Sequence, residues 1–148
     1  MTFDELVNVL RATADIADET SFVDVGSQAV LLHFPNAHPD LRTSREVDLY
    51  PSKHPERADL IDGEIGALSF FDPTFGYHAD GVGPETAALP ADWTDRAPKD
   101  ADCVRVLLRE KMMNISPLRT RIEMLDSTQH PVASVLAWAN RRALEAKP

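Results

Sequence analysis

Residues 22–34 read FVDVGSQAVLLHF and residues 43–51 read TSREVDLYP, and the folding of these two stretches decides the rest of the chain. The first joins a short β-prone run, 21–25, to a Gly26-Ser27 turn and a helical continuation over 27–34. The second is a strand over 46–50, stopped by Pro51, which has no N–H for a ladder. Side chains alternate across a strand, so Glu46 and Asp48 face one way and Val47 and Leu49 the other. Two carboxylates on one face repel and are costly to ionise together unless a cation lies between them. Hard oxygen ligands of this kind suit Mg2+ or Mn2+ carrying a nucleotide's phosphates. A Gly-Ser turn at a helix start offers backbone N–H groups and a hydroxyl to those phosphates. Together the two stretches point to nucleotidyl transfer.

Val25-Gly26-Ser27 and Glu46-Val47-Asp48-Leu49 resemble the signature of the nucleotidyltransferase fold, the DNA polymerase β-like superfamily. That signature is hG[GS] at a strand-to-helix turn, then hDhDh or a close variant on the next strand. Over roughly its first two thirds, the chain looks closest to the minimal bacterial enzymes related to AbiEii-type toxins. Residues 76–93, GYHADGVGPETAALPADW, resemble the hairpin that extends the sheet in that group. Residues 99–108, KDADCVRVLL, resemble its helix-opening Lys-Asp motif. The resemblance implies that Gly26 and Ser27 hold an NTP's triphosphate and that Glu46 and Asp48 hold the metal ions, Mg2+ or Mn2+. It further implies transfer of a nucleoside monophosphate to a hydroxyl, on an RNA end or a protein side chain, and a toxin–antitoxin setting with an antitoxin partner.

The chain departs from the family pattern in two places. Glu46 stands where the superfamily usually shows Asp. Only residues 94–98 separate Trp93 from Lys99, so the lysine-bearing helix that the group places before its Lys-Asp motif is missing. Lys99 is the candidate substitute for that phosphate-facing lysine; its plainer reading is a solvated loop lysine. The departure opens an alternative function, a catalytically degenerate nucleotidyltransferase-fold module for binding or regulation. Such a module would be dimeric if a second copy covered the apolar surface that the absent helix leaves.

In-line attack on the α-phosphate calls for a third carboxylate to help activate the attacking hydroxyl. Asp100, in the Lys-Asp motif, is preferred over Asp80. The plainer readings are an N-cap for Asp100 and a turn pair for Asp80-Gly81. Arg45 alternates away from Glu46 and is not expected at the same metals. His33, His38, His54, His78 and His130 show no zinc-ligand spacing such as HExxH, and Cys103 has no cysteine partner. Neither a Walker-type loop nor a Ser-His-Asp nucleophile pattern is present.

At 148 residues, with 43% hydrophobic and 26% charged, the composition is that of a globular chain with a sizeable core. The net charge of −9 argues against broad electrostatic binding to nucleic acid. The cations nonetheless concentrate late, at Arg105, Arg109, Lys111, Arg119, Arg121, Arg141 and Arg142. A single cysteine excludes an internal disulfide framework and fits a reducing cytoplasm. The first 18 residues are amphipathic and acidic rather than secretory in pattern, and no apolar run suggests a membrane span.

Thr2 and Glu5 form a capping box for a first helix, with Phe3, Leu6, Val7 and Leu10 on its buried stripe. Residues 35–44 are a loop. Residues 55–68 contain a helix with Ala58, Ile61, Ile65 and Leu68 facing inward. Residues 77–82 and 86–89 are expected to pair as a hairpin, with Gly81 and Gly83 in the turn region. Helical patterns follow at 102–112, 117–125 and 131–146. Trp93 and Trp138 read as core or interface anchors. The fold class is therefore α+β: a small mixed β-sheet nucleotidyltransferase core with flanking helices over residues 1–93, and a C-terminal helical bundle over 94–148.

Overall fold

A computed structural model describes residues 1–87 and 98–146, with positions 87 and 98–100 described by backbone alone. The chain divides into two compact units, Met1–Ala88 and Leu89–Pro148. The architecture is mixed α+β, with a three-stranded sheet in the first unit.

Helix α1 spans Phe3–Ala17 and opens on the expected capping box, Thr2 with Glu5. Its fully buried positions are Leu6, Val9, Thr13 and Ala17. The stripe thus runs further along the helix than the sequence pattern suggested, and Phe3, Val7 and Leu10 flank it half-buried. Asp18 ends α1 in the left-handed conformation. Arg57 Nη1 then donates to the carbonyl of Ala17 at 2.9 Å and pairs with Glu19 at 3.2 Å, satisfying orphan groups at the helix end.

Strand β1, Phe22–Val25, runs antiparallel to β2, Glu46–Pro51, and β2 runs parallel to β3, His78–Gly81. The order is β1-β2-β3, so the strand with the two carboxylates is central. Parallel pairing needs a crossover, and residues 52–77 supply it with α3, Ala58–Ile65, and α4, Phe71–Phe75. Along β2 the buried residues are Val47, Leu49 and Pro51, while Glu46, Asp48 and Tyr50 are half-buried. Helices α1 and α3 contact each other and both β2 and β3. Their buried Leu6, Val9, Ile61 and Ile65 face Val47, Leu49 and Ala79 to form the core of this unit.

Two expectations are corrected here. Leu68 does not line α3: the helix ends at Ile65, Gly66 follows in an extended conformation, and Leu68 is fully exposed. Among the described residues the hairpin is also absent. Residues 78–81 pair with β2 instead, Val82 N–H extends that pairing to the carbonyl of Leu49 at 3.1 Å, and Pro84–Ala87 is a 3-10 turn. Proline at 84 has no N–H to offer a returning strand. Gly81 serves close packing rather than a turn, since a Cβ there would meet the backbone oxygen of Ala58 at 1.9 Å.

The second unit contains α5, Pro98–Arg109, α6, Ile115–Glu123, and α7, Val132–Glu145. Asn114 caps α6 by accepting from the Ser116 N–H at 2.9 Å. Ile122, Val135 and Ala139 form its small core, with Trp138 packed against it. Cys103 is half-buried and in no disulfide.

Candidate active site

The Gly26 turn and the acidic strand meet. Gly26 adopts φ 114°, ψ −163°, a conformation open to glycine and strained for other residues. A Cβ built there would lie 3.5 Å from Asp48 Oδ2, which places the turn's backbone beside that carboxylate. Ser27 is exposed and its Oγ accepts from Gln28 Nε2 at 3.3 Å. Gln28, 2% exposed, also donates to the carbonyl of Leu41 and ties the turn to the following loop. The continuation is a 3-10 turn, Ser27–Ala29, and a four-residue α2, Val30–His33. So short a helix adds little dipole, and any anion held here rests on the turn's own N–H groups.

Strand β3 brings in residues far off in sequence. Glu46 is in register with His78, and Asp48 with Asp80, so four polar side chains share the face opposite the core. Ligand atoms of Glu46, His78 and Asp80 all lie within 4.8 Å of one another. Like charges directly opposed on neighbouring strands destabilise a sheet, and a carboxylate set of this density fits a divalent cation. His78 Nε2 stands 3.8 Å from Asp80 Oδ1, while its Nδ1 is 3.2 Å from Asp72 Oδ1 on α4. Arg45, just before the strand, donates through Nη2 to the same Asp72 Oδ1 at 3.1 Å and through Nε to the carbonyl of Gly76. The rings of Phe71 and Phe75, which flank Asp72 on α4, meet Tyr77 in edge and tilted contacts, and the Tyr77 hydroxyl accepts from Asn8 Nδ2 at 2.8 Å. Asp72 is thereby fixed from several sides.

Asp24 is a further carboxylate that the sequence reading passed over. Opposite Leu49 in register, it shares that residue's side of the sheet, and neither of its buried oxygens has a hydrogen-bond partner among the described residues. Burial, with the charge of Asp48 as the smaller cause, pushes its pKa up from 3.8 to about 6.

Among the expected site residues, Gly26, Ser27, Glu46 and Asp48 come together. Asp80, the less favoured third carboxylate, stands directly beside Asp48. Lys99 and Asp100 fall in the first turn of α5, in the second unit, with side chains outside the described residues. His78 was missed because 32 residues separate it from Glu46 and only the parallel β2–β3 register joins them. Comparison with protein-family models, with curated proteins and with solved structures gave no match.

Proposed function

We propose that the first unit is a nucleotidyltransferase that passes a nucleoside monophosphate from an NTP to a hydroxyl. The observation that carries this reading is the placement of Glu46, Asp48 and Asp80 on one face of adjacent strands, with the Gly26 turn so close that a Cβ there would lie 3.5 Å from Asp48 Oδ2. Glu46 and Asp48 would hold a divalent ion, which when bound neutralises phosphate charge and polarises the α-phosphoryl group. The turn's N–H groups and Ser27 Oγ orient the triphosphate. Asp80 is the third carboxylate of the set, an oxygen ligand offered from the neighbouring strand beside Asp48. The acceptor is an RNA end or a protein side chain, and the excess of acidic groups around the sheet favours a protein.

The test is incubation with each α-labelled NTP, Mg2+ or Mn2+, and cellular RNA plus protein, beside an E46A/D48A control. Label transferred by the wild type alone supports the reading and identifies donor and acceptor class. Absence of transfer from every NTP would overturn it in favour of a non-catalytic nucleotide-binding or regulatory module.

A further inference from the structure

The polar face of the sheet is not an all-oxygen site. His78 is 13% exposed at its side chain, and its ring lies between two carboxylates on opposite edges. On one edge Asp72 Oδ1 sits 3.2 Å from Nδ1. An ionised carboxylate only accepts hydrogen bonds, so a neutral ring with Nδ1–H donating to Asp72 has its lone pair on Nε2. That lone pair is directed to the side where Asp80 Oδ1 lies at 3.8 Å and where Glu46 stands in register. Three electron-pair donors of two kinds, two carboxylates and an imidazole nitrogen, thus converge within 4.8 Å. The arrangement has the form of a carboxylate–histidine–metal relay, in which an outer carboxylate fixes the tautomer and aim of the ligating ring. Arg45 in turn holds Asp72 in place at 3.1 Å.

The donor set has a consequence for the identity of the ion. Mg2+ takes oxygen ligands and retains water, whereas an imidazole nitrogen favours first-row transition metals, with affinity rising from Mn2+ through Co2+ to Ni2+ and remaining high at Zn2+. We propose that Glu46, His78 and Asp80 form a mixed nitrogen–oxygen metal site selective for a transition-metal ion over Mg2+. Asp72 and Arg45 are its positioning residues. The existence of the site stands independently of nucleotidyl transfer; its role as the cofactor site rests on that reading. His78 sits outside the spacing patterns by which zinc ligands are read from sequence, because the β2–β3 pairing and not a local motif assembles the set.

The experiment uses the full chain, stripped with chelator and titrated separately with MgCl2, MnCl2, CoCl2 and ZnCl2. Affinities are read by calorimetry or chelator competition, Co2+ also by its visible absorption, and the His78 ring by 15N NMR on adding Zn2+. The expected result is one Co2+ or Zn2+ per chain, bound at least ~10-fold more tightly than Mg2+, with a shift of the His78 Nε2 resonance. H78A and H78Q should each lose that preference. D72N should weaken Co2+ binding by about 10–100-fold, as loss of an outer-shell partner does. An unmoved His78 resonance, or Co2+ and Zn2+ affinities unchanged in both His78 variants, would overturn the proposal, and the NMR signal decides even if a variant folds poorly. Transfer that runs on Mg2+ with no His78 involvement sinks the mixed site and spares the transferase. Tight Co2+ binding without transfer from any NTP does the reverse.

Discussion

The two faces of the three-stranded sheet differ in everything except the backbone they share. On one, Val47, Leu49 and Ala79 are at most 1% exposed beneath α1 and α3. On the other, Glu46, Asp48, His78 and Asp80 stand side by side, each half-buried. A two-residue period in the sequence becomes a division of labour: burial of the apolar face stabilises the fold, and this stability sustains a second face on which like charges repel. Residues placed for chemistry commonly cost stability in this way.

The comparison breaks most sharply at Asp48. If the polar face is the chemical one, D48N should reduce label transfer by about 10³-fold, equivalent to ~4 kcal/mol of transition-state stabilisation. A transfer rate within threefold of wild type would remove Asp48 from the chemistry. Leu49 is the mirror case. It is fully buried, so L49A should cost about 2–5 kcal/mol in denaturant unfolding, through lost transfer energy and a residual cavity. Any protein that stays folded should keep its metal affinity.

Asp24 sharpens the comparison because it is a charge on the wrong side. Its folded pKa of about 6 exceeds the ordinary 3.8, so the native state holds this proton more firmly than the unfolded chain. The stabilisation is therefore fully present below about pH 4 and lost as pH rises through about 6. Because the residue as a whole is only half-buried, solvent screening leaves an effect of order 1–2 kcal/mol. D24N, measured in chelator, should accordingly be more stable than wild type at pH 8 by about that amount and no more stable at pH 4. A gain that persists unchanged at pH 4 would show that packing, not ionisation, is responsible.

Much of this was legible in the sequence, and the reason is periodicity. The alternation in 46–51 predicted which carboxylates share a face, and the Gly26 turn was marked by a residue that only a positive φ requires. What escaped was long-range. Residues 78–81 carry local turn signals, an Asp-Gly pair and nearby Gly83 and Pro84, and those signals favoured a hairpin. Pairing with β2 overrode them, because α3 had already closed the crossover and Gly81 let β3 lie against Ala58. With the hairpin went the means of seeing Asp80 and His78 beside Glu46. Leu68 failed differently: it keeps the helical period of Ile61 and Ile65, but Gly66 leaves the helix before that period can bury it.

The smallest test concerns a residue remote from both faces. Thr2 Oγ1 accepts from the Glu5 N–H at 3.3 Å, and Glu5 Oε2 accepts from the Thr2 N–H at 2.6 Å. This exposed box satisfies two orphan donors at the start of α1, the helix whose Leu6 and Val9 cover the apolar face. T2A should cost about 1 kcal/mol, the usual loss for removing such a cap. The first turn would fray, while Asn8, one turn further in, keeps its hydrogen bond to Tyr77 and so the support under Asp72. Metal affinity and label transfer should therefore stay within twofold of wild type, measured beside the unfolding curve. If T2A instead depressed both by tenfold at unchanged stability, the helix layer would be acting on the polar face through the sheet, and the separation of the two faces would fail.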